Sequence, residues 1–224
     1  MHKDKKIVAI IPVRGGSKSI PYKNIKEIAG KPLVRWNCEA IKESKYIDEL
    51  YVSTEDQKIK DVVSSFDLGV KIIDRPAEFA ADTSSTESAI MDFVREEKNY
   101  DILMLFQATS PLTTSENIDE AIENFFAEEN DSLFTGVISK RIFWTPEVRP
   151  LNYDPAKRPR RQDFAGSIME NGAFYITKKE IWEKHNNRLG GKVGVYIMPE
   201  HMGVEIDEPT DWEMMEKLLL KYKQ

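Results

Sequence analysis

The chain reads as an α/β protein built on an open, mostly parallel sheet with flanking helices. Two observations predict this. Short apolar runs that suit buried strands, such as Ile7 to Ile11 and Ile102 to Phe106, alternate along the chain with segments of helical period. Strands taken in turn with helices imply right-handed crossovers and hence parallel neighbours. The 224 residues suit a single domain, 1–224, and 41% hydrophobic with 31% charged residues is ordinary for a globular protein.

The elements follow in order. Strand 5–13 leads to helix 32–44, with Pro32 near its start, where a missing N–H costs nothing. Strand 49–53, helix 56–66 and strand 69–73 come next. Helix 86–98 carries Ile90, Phe93 and Val94 on one face. Strand 101–106 is strongly apolar, helix 116–128 has Ser115 as its expected cap, and strand 132–139 follows. The pattern then breaks. Residues 140–166 show no period and hold Pro146, Pro150, Pro155 and Pro159 among many Lys and Arg. Long irregular stretches inside compact domains are commonly functional, so 140–170 is expected to be an inserted arm. Strands 172–177, 192–198 and 204–207 and a helix over 210–223 complete the chain.

Composition narrows the function classes. A lone Cys38 excludes an internal disulfide framework and fits a reducing compartment. No apolar run approaches the ~18 residues of a membrane span. The start, Met-His-Lys-Asp-Lys-Lys, does not read as a secretory signal, so a cytoplasmic location is expected. With net charge −6, nucleic acid is not an expected partner, and an anionic ligand must be met by local cations. His2, His185 and His201 show no zinc-ligand spacing.

The segment Ile-Pro-Val-Arg-Gly-Gly-Ser-Lys-Ser-Ile-Pro-Tyr-Lys-Asn, 11–24, holds the densest functional signal. It leaves the first strand with Arg14, Lys18 and Lys23, two glycines (Gly15, Gly16) and Ser17 close together. Glycine lets backbone approach an anion, and N–H groups and cations offset its charge, so the composition is that of a polyphosphate cradle. It has neither of the two common phosphate-loop spacings. Other polar groups follow other strand ends: Ser53 to Asp56, Asp74 to Pro76, and Gln107-Ala-Thr-Ser-Pro111. Open α/β sheets bind ligands at that edge. Lys157-Arg-Pro-Arg-Arg-Gln-Asp163 is the most basic run. Glu205 and Asp207, two apart on an expected strand, would face one side and call for a cation between them.

Together these motifs resemble the acylneuraminate cytidylyltransferases, whose opening signature runs I-P-A-R-G-G-S-K-G-I-P-x-K-N. This chain departs from it at Val13 and at Ser19, which stands where the pattern has glycine. If that position needs positive φ, serine is strained there. The resemblance covers residues 7–212 and implies a Rossmann-like nucleotidyltransferase fold. It implies an enzyme that joins CTP to a nine-carbon 2-keto sugar acid such as Neu5Ac or Kdn, releasing pyrophosphate. An eight-carbon Kdo enzyme and a non-catalytic nucleotide-binding module are the competing readings.

The resemblance also implies residue roles. Arg14, Lys18, Lys23 and Asp207 would be catalytic. Arg14, Gly15, Gly16, Ser17, Asn24, Arg75 and Ser84 would hold the nucleotide, with Arg75 and either Ser84 or Ser85 of Ala81-Asp-Thr-Ser-Ser85 at the cytosine. Gln107, Thr109, Ser110, Asn171 and Tyr175 would line the sugar-acid site, and Arg161 with Lys140 would bind its carboxylate, a pairing that suits guanidinium geometry. In place of the pattern D-I-D-x-x-x-D-W the chain has Glu205-Ile-Asp207-Glu-Pro-Thr-Asp211-Trp212. Mg²⁺ is expected on Asp207, with Glu205 beside it and Asp211 as cap or support. A homodimer formed through the arm is expected. No side chain stands out as general base.

Overall fold

The computed structural model describes residues 2–80 and 84–223. Its elements are β1 (Ile7–Pro12), β2 (Glu27–Ile28), β3 (Lys31–Pro32), α1 (Leu33–Glu43), β4 (Glu49–Thr54), α2 (Gln57–Ser64), β5 (Lys71–Asp74), α3 (Thr86–Glu96), β6 (Ile102–Phe106), α4 (Ser115–Ala127), β7 (Ser132–Ser139), β8 (Ser167–Lys178), α5 (Lys179–His185), β9 (Val193–Ile197) and α6 (Pro209–Tyr222). Seven strands form one sheet in the order β5-β4-β1-β6-β8-β7-β9. Four of its six pairings are parallel; β8 runs antiparallel to both β6 and β7.

β1 is central, and Ile7 to Ile11 are all fully buried. A parallel strand covered on both faces needs such an unbroken apolar run. Its first amides reach beyond the ladder and are caught by carboxylates: Lys6 N–H donates to Asp101 (2.9 Å) and Ile7 N–H to Asp48 (2.8 Å). One face packs on α1, α2, α4 and α6 through residues such as Leu33, Ile59, Ile122 and Leu219. The other packs on α3 and α5 through Ile90, Phe93 and Trp182. After β1 the chain moves to the β4 side, and after β6 it moves to the β8 side. The switch point therefore lies where β1 and β6 end, and the loops leaving these strands meet there.

Two expectations need correction. Residues 204–207 join no ladder; the segment 203–208 is irregular and unpaired. Ile206 N–H donates instead to Thr109 O (3.3 Å), so the chain crosses the sheet end rather than entering it. The cap of α4 is Thr114, not Ser115: Thr114 and Asn117 form a reciprocal capping box. The hairpin β2–β3, turning through Ala29 (φ 47°) and Gly30 (φ 82°), had no expectation in sequence.

Residues 140–166 have little regular structure, as expected. A tight turn closed by Thr145 and Arg149 leaves Phe143, Trp144, Val148 and Leu151 exposed. Among the described residues no helix is long and apolar enough to cross a membrane.

The capping assignment is directly testable. Thr114→Ala should cost about 1 kcal/mol and lower the melting temperature by roughly 2–4 °C. Ser115→Ala should stay within about 0.5 kcal/mol of the parent. Thermal unfolding followed by circular dichroism measures both.

Candidate active site

The loop after β1 and the segment before α6 meet in one cavity of about 380 Å³, lined by Arg14, Ser17, Lys18, Ser19, Lys23, Asn24, Asp207 and Glu208. The contact is direct. Lys23 Nζ donates to Ile206 O (2.6 Å) and lies 3.5 Å from Asp207 Oδ1. Ser19 Oγ donates to Asp207 O. Asp211 Oδ2 accepts from the N–H groups of Asp207 (3.0 Å) and Glu208 (2.8 Å), which makes it the cap of this turn. Ile206, fully buried, anchors the segment in the core.

The loop itself is braced from below. Gly15 N–H donates to Glu55 Oε1 (2.8 Å), and a Cβ at Gly15 would meet Asp56 Oδ2 at 2.5 Å. Glycine is therefore required at 15 for space, not for φ. Gly16 has open space around its Cα, as a ligand approach needs. Asn24 Nδ2 donates to Arg14 O (3.3 Å) and closes the loop. Ser19 is not among the described residues with positive φ; Tyr22, at 51°, makes the turn instead. The strain expected of serine at 19 is absent.

Arg75 is buried and holds Ser53 O through Nη2 (2.8 Å), with Arg14 and Glu55 near enough to act on it electrostatically. Ser85 caps α3, whereas Ser84 Oγ donates to Glu78 O (2.8 Å). Residues 81–83, the start of the segment that holds Ser84 and Ser85, lie outside the described residues.

Gly172, at φ 63°, lies beside Gln107 and Glu205. A Cβ there would come within 3.0 Å of Glu205 Oε1 and 3.3 Å of Gln107 Nε2, so Gln107 and Glu205 flank the bare backbone. Ser110 is buried, and its Oγ has no hydrogen-bonding partner among the described residues. Asn171 and Tyr175 have internal partners: Asn171 Nδ2 donates to Met202 O (3.0 Å), and the buried Tyr175 donates its hydroxyl to Glu170. Neither lines the cavity. Glu205 and Asp207 do not share a strand face, since no strand exists there. Glu205 is half-buried, and burial raises its carboxyl above the usual range, with the charges of Asp207 and Glu170 acting the same way and Lys23 opposing. Asp207 is exposed.

Lys140 and Arg161 come together, but elsewhere. They line a separate cavity of about 260 Å³ on the arm with Arg158 and Phe164. A hollow of similar size to the first, about 390 Å³, opens at the opposite sheet edge among Lys5, Tyr100, Asp101 and Glu183. Its Lys5 and Lys178 are paired with Asp101 and Asp131, so it offers no convergent charge. The sequence places Glu55 and Asp56 among the polar groups at the ligand-binding edge, but their bracing of the loop at Gly15 has no signal there beyond the glycine itself.

A cytidylyltransferase family model matches residues 8–224. The chain belongs to the cytidylyltransferase family. It is 37% identical over 227 residues to N-acylneuraminate cytidylyltransferase A of Danio rerio, covering 98% of this chain and 52% of that protein. It is 27% identical over 225 residues to the pseudaminic acid cytidylyltransferase of Campylobacter jejuni subsp. jejuni serotype O:23/36 (strain 81-176), covering 96% of this chain and 97% of that one. The chain thus spans about half the length of the fish cytidylyltransferase it matches. Among solved structures, CMP:2-keto-3-deoxy-manno-octonic acid synthetase complexed with CTP superposes with a TM-score of 0.73 at 17% identity, over 96% of this chain and 99% of that one. The 4-diphosphocytidyl-2C-methyl-D-erythritol synthase of Anaerococcus prevotii DSM 20548 gives 0.70 at 16%, over 96% of each. These two share the fold of this chain.

The raised Glu205 carboxyl has a measurable consequence. A carboxyl whose folded pKa exceeds its unfolded value binds its proton more tightly in the native state. Its contribution is complete below the unfolded value and is lost as pH rises through the folded one. Glu205→Gln should therefore raise the metal-free melting temperature by a few degrees at pH 7 and not at pH 4, as read by calorimetry across that range.

Proposed function

We propose that this cytidylyltransferase couples CTP to a nine-carbon 2-keto sugar acid, yielding the CMP-sugar and pyrophosphate. The observation that carries the reading is the single cavity joining Arg14, Lys18 and Lys23 to Asp207. Cations on one wall suit a triphosphate, and the carboxylates opposite suit its counter-ion. The names of the Danio rerio and Campylobacter jejuni relatives support a sugar acid as acceptor.

In the proposed reaction the sugar's anomeric hydroxyl attacks the α-phosphorus. A new O–P bond forms, the bond to pyrophosphate breaks, and one proton is released. Arg14 and Lys18 offset the growing charge on the phosphates, and positioning supplies the remainder. Gln107, with an amide that both donates and accepts, orients sugar hydroxyls beside Gly172, with Thr109 and Ser110 on the same loop. The residues fit a divalent cation. Asp207 and Glu205 offer hard oxygen donors, and Glu205 sits among carboxylates whose repulsion a cation would relieve. Mg²⁺ held there would polarise phosphate oxygens.

Lys140 and Arg161 lie on the arm, apart from this cavity. We assign them to the sugar carboxylate of a partner subunit's site. The exposed Phe143, Trp144, Val148 and Leu151 favour a homodimer through the same arm.

Pyrophosphate release from CTP tests the reading, with and without Mg²⁺, across Neu5Ac, Kdn, legionaminic acid, pseudaminic acid and Kdo. A nine-carbon acid should support Mg²⁺-dependent release; none with any acid would leave a binding module. Arg14→Ala should lower kcat on the order of 10²-fold. Arg161→Ala should raise the sugar KM about 10- to 100-fold and leave the CTP KM within about twofold, the loss of a charged hydrogen-bonded contact. An equal rise in both constants contradicts the carboxylate role.

A further inference from the structure

We infer that Ser19 is a positioning residue that fixes Asp207 against the loop after β1, a task the glycine of the family pattern cannot perform. The inference rests on reading the shared cavity as the nucleotide site. The segment 203–208 belongs to no ladder, so contacts outside the sheet hold it in place. The N–H of Asp207 is held by Asp211, from the first turn of the helix that follows, and the carbonyl before it is held by Lys23. The carbonyl of Asp207 itself is held by Ser19 Oγ, 188 residues away in sequence.

These contacts are not equivalent. Asp211 moves with the segment it caps, so it sets local shape and not placement. Lys23 holds the carbonyl on the N-terminal side of Asp207 and lies 3.5 Å from its carboxylate. Ser19 holds the carbonyl on the C-terminal side, so the two together fix the Asp207 backbone against the opposite wall, and loss of the hydroxyl releases its C-terminal half. Ser19 lines the same cavity as Asp207, with its side chain directed to backbone rather than to the open space. Its backbone lies outside the positive-φ region, so neither alanine nor threonine is strained there. Ser19 is also exposed, and losing the hydroxyl leaves no cavity and lets water reach the carbonyl. A variant at 19 therefore reports on positioning and not on folding.

The test compares Ser19→Ala, Ser19→Gly and Ser19→Thr. Hydrogen–deuterium exchange of the ligand-free protein should show faster exchange over 203–212 in the alanine and glycine variants, by about 2- to 10-fold, the range one net hydrogen bond supplies. Ser19→Thr, which keeps the hydroxyl, should match the parent. Calorimetric titration with CTP in MgCl₂ should show a similar fold weakening for alanine and glycine and none for threonine, whereas titrations in EDTA should not separate the variants. Parent-like exchange and binding in Ser19→Ala would overturn the inference. So would a threonine variant as impaired as alanine. Failure of the parent protein itself to bind CTP would instead overturn the reading of the cavity, and this inference with it.

Discussion

The ammonium of Lys23 joins the two ends of this chain, and the rest of the site depends on that grip. Its side chain is 13% exposed, so it has lost most of its water and needs replacement partners. It finds them in Ile206 O and Asp207. The segment that carries these groups has no sheet ladder, and buried Ile206 and its amide bond to Thr109 provide the remaining hold. Lys23 is therefore a structural cation first. Arg14 and Lys18 line the same cavity, and in the proposed reaction they are the cations that meet the phosphates.

Charge explains why the assembly sits where it does. The protein is net negative, yet this cavity is walled by cations from one end of the sequence and acids from the other. Burial raises the Glu205 carboxyl, and the charges of Asp207 and Glu170 add to the shift. An ionised Glu205 therefore costs the ligand-free fold stability locally. A cation bound there, as proposed, would relieve that cost.

The fold was largely legible because β1, β4 and β6 are buried on both faces and had to be written as apolar runs. The helices were legible from their period. The unpaired 203–208 segment misled because Val-Glu-Ile-Asp alternates like a strand, whereas its buried Ile206 is a single anchor and not one face of a pleat. The hairpin of β2 and β3 is too short to leave a period. At the site, the cations, glycines and acids were visible as composition, and the structure brings them together. Two kinds of information were not visible. Asn171 and Tyr175 are expected at the sugar-acid site but bond internally, which only three-dimensional placement reveals. Lys140 and Arg161 do share a cavity, but the arm carries that cavity away from the loop after β1.

The central claim is that a nucleotide binds where the first loop meets the last acidic segment. A crystal structure of the protein soaked with CTP and a divalent cation tests it most directly. The account predicts phosphate density against Arg14, Ser17 and Lys18, with the cation between phosphate and Asp207. Density for the nucleotide in the hollow beside Tyr100 and Glu183, with the loop after β1 bare, would contradict it.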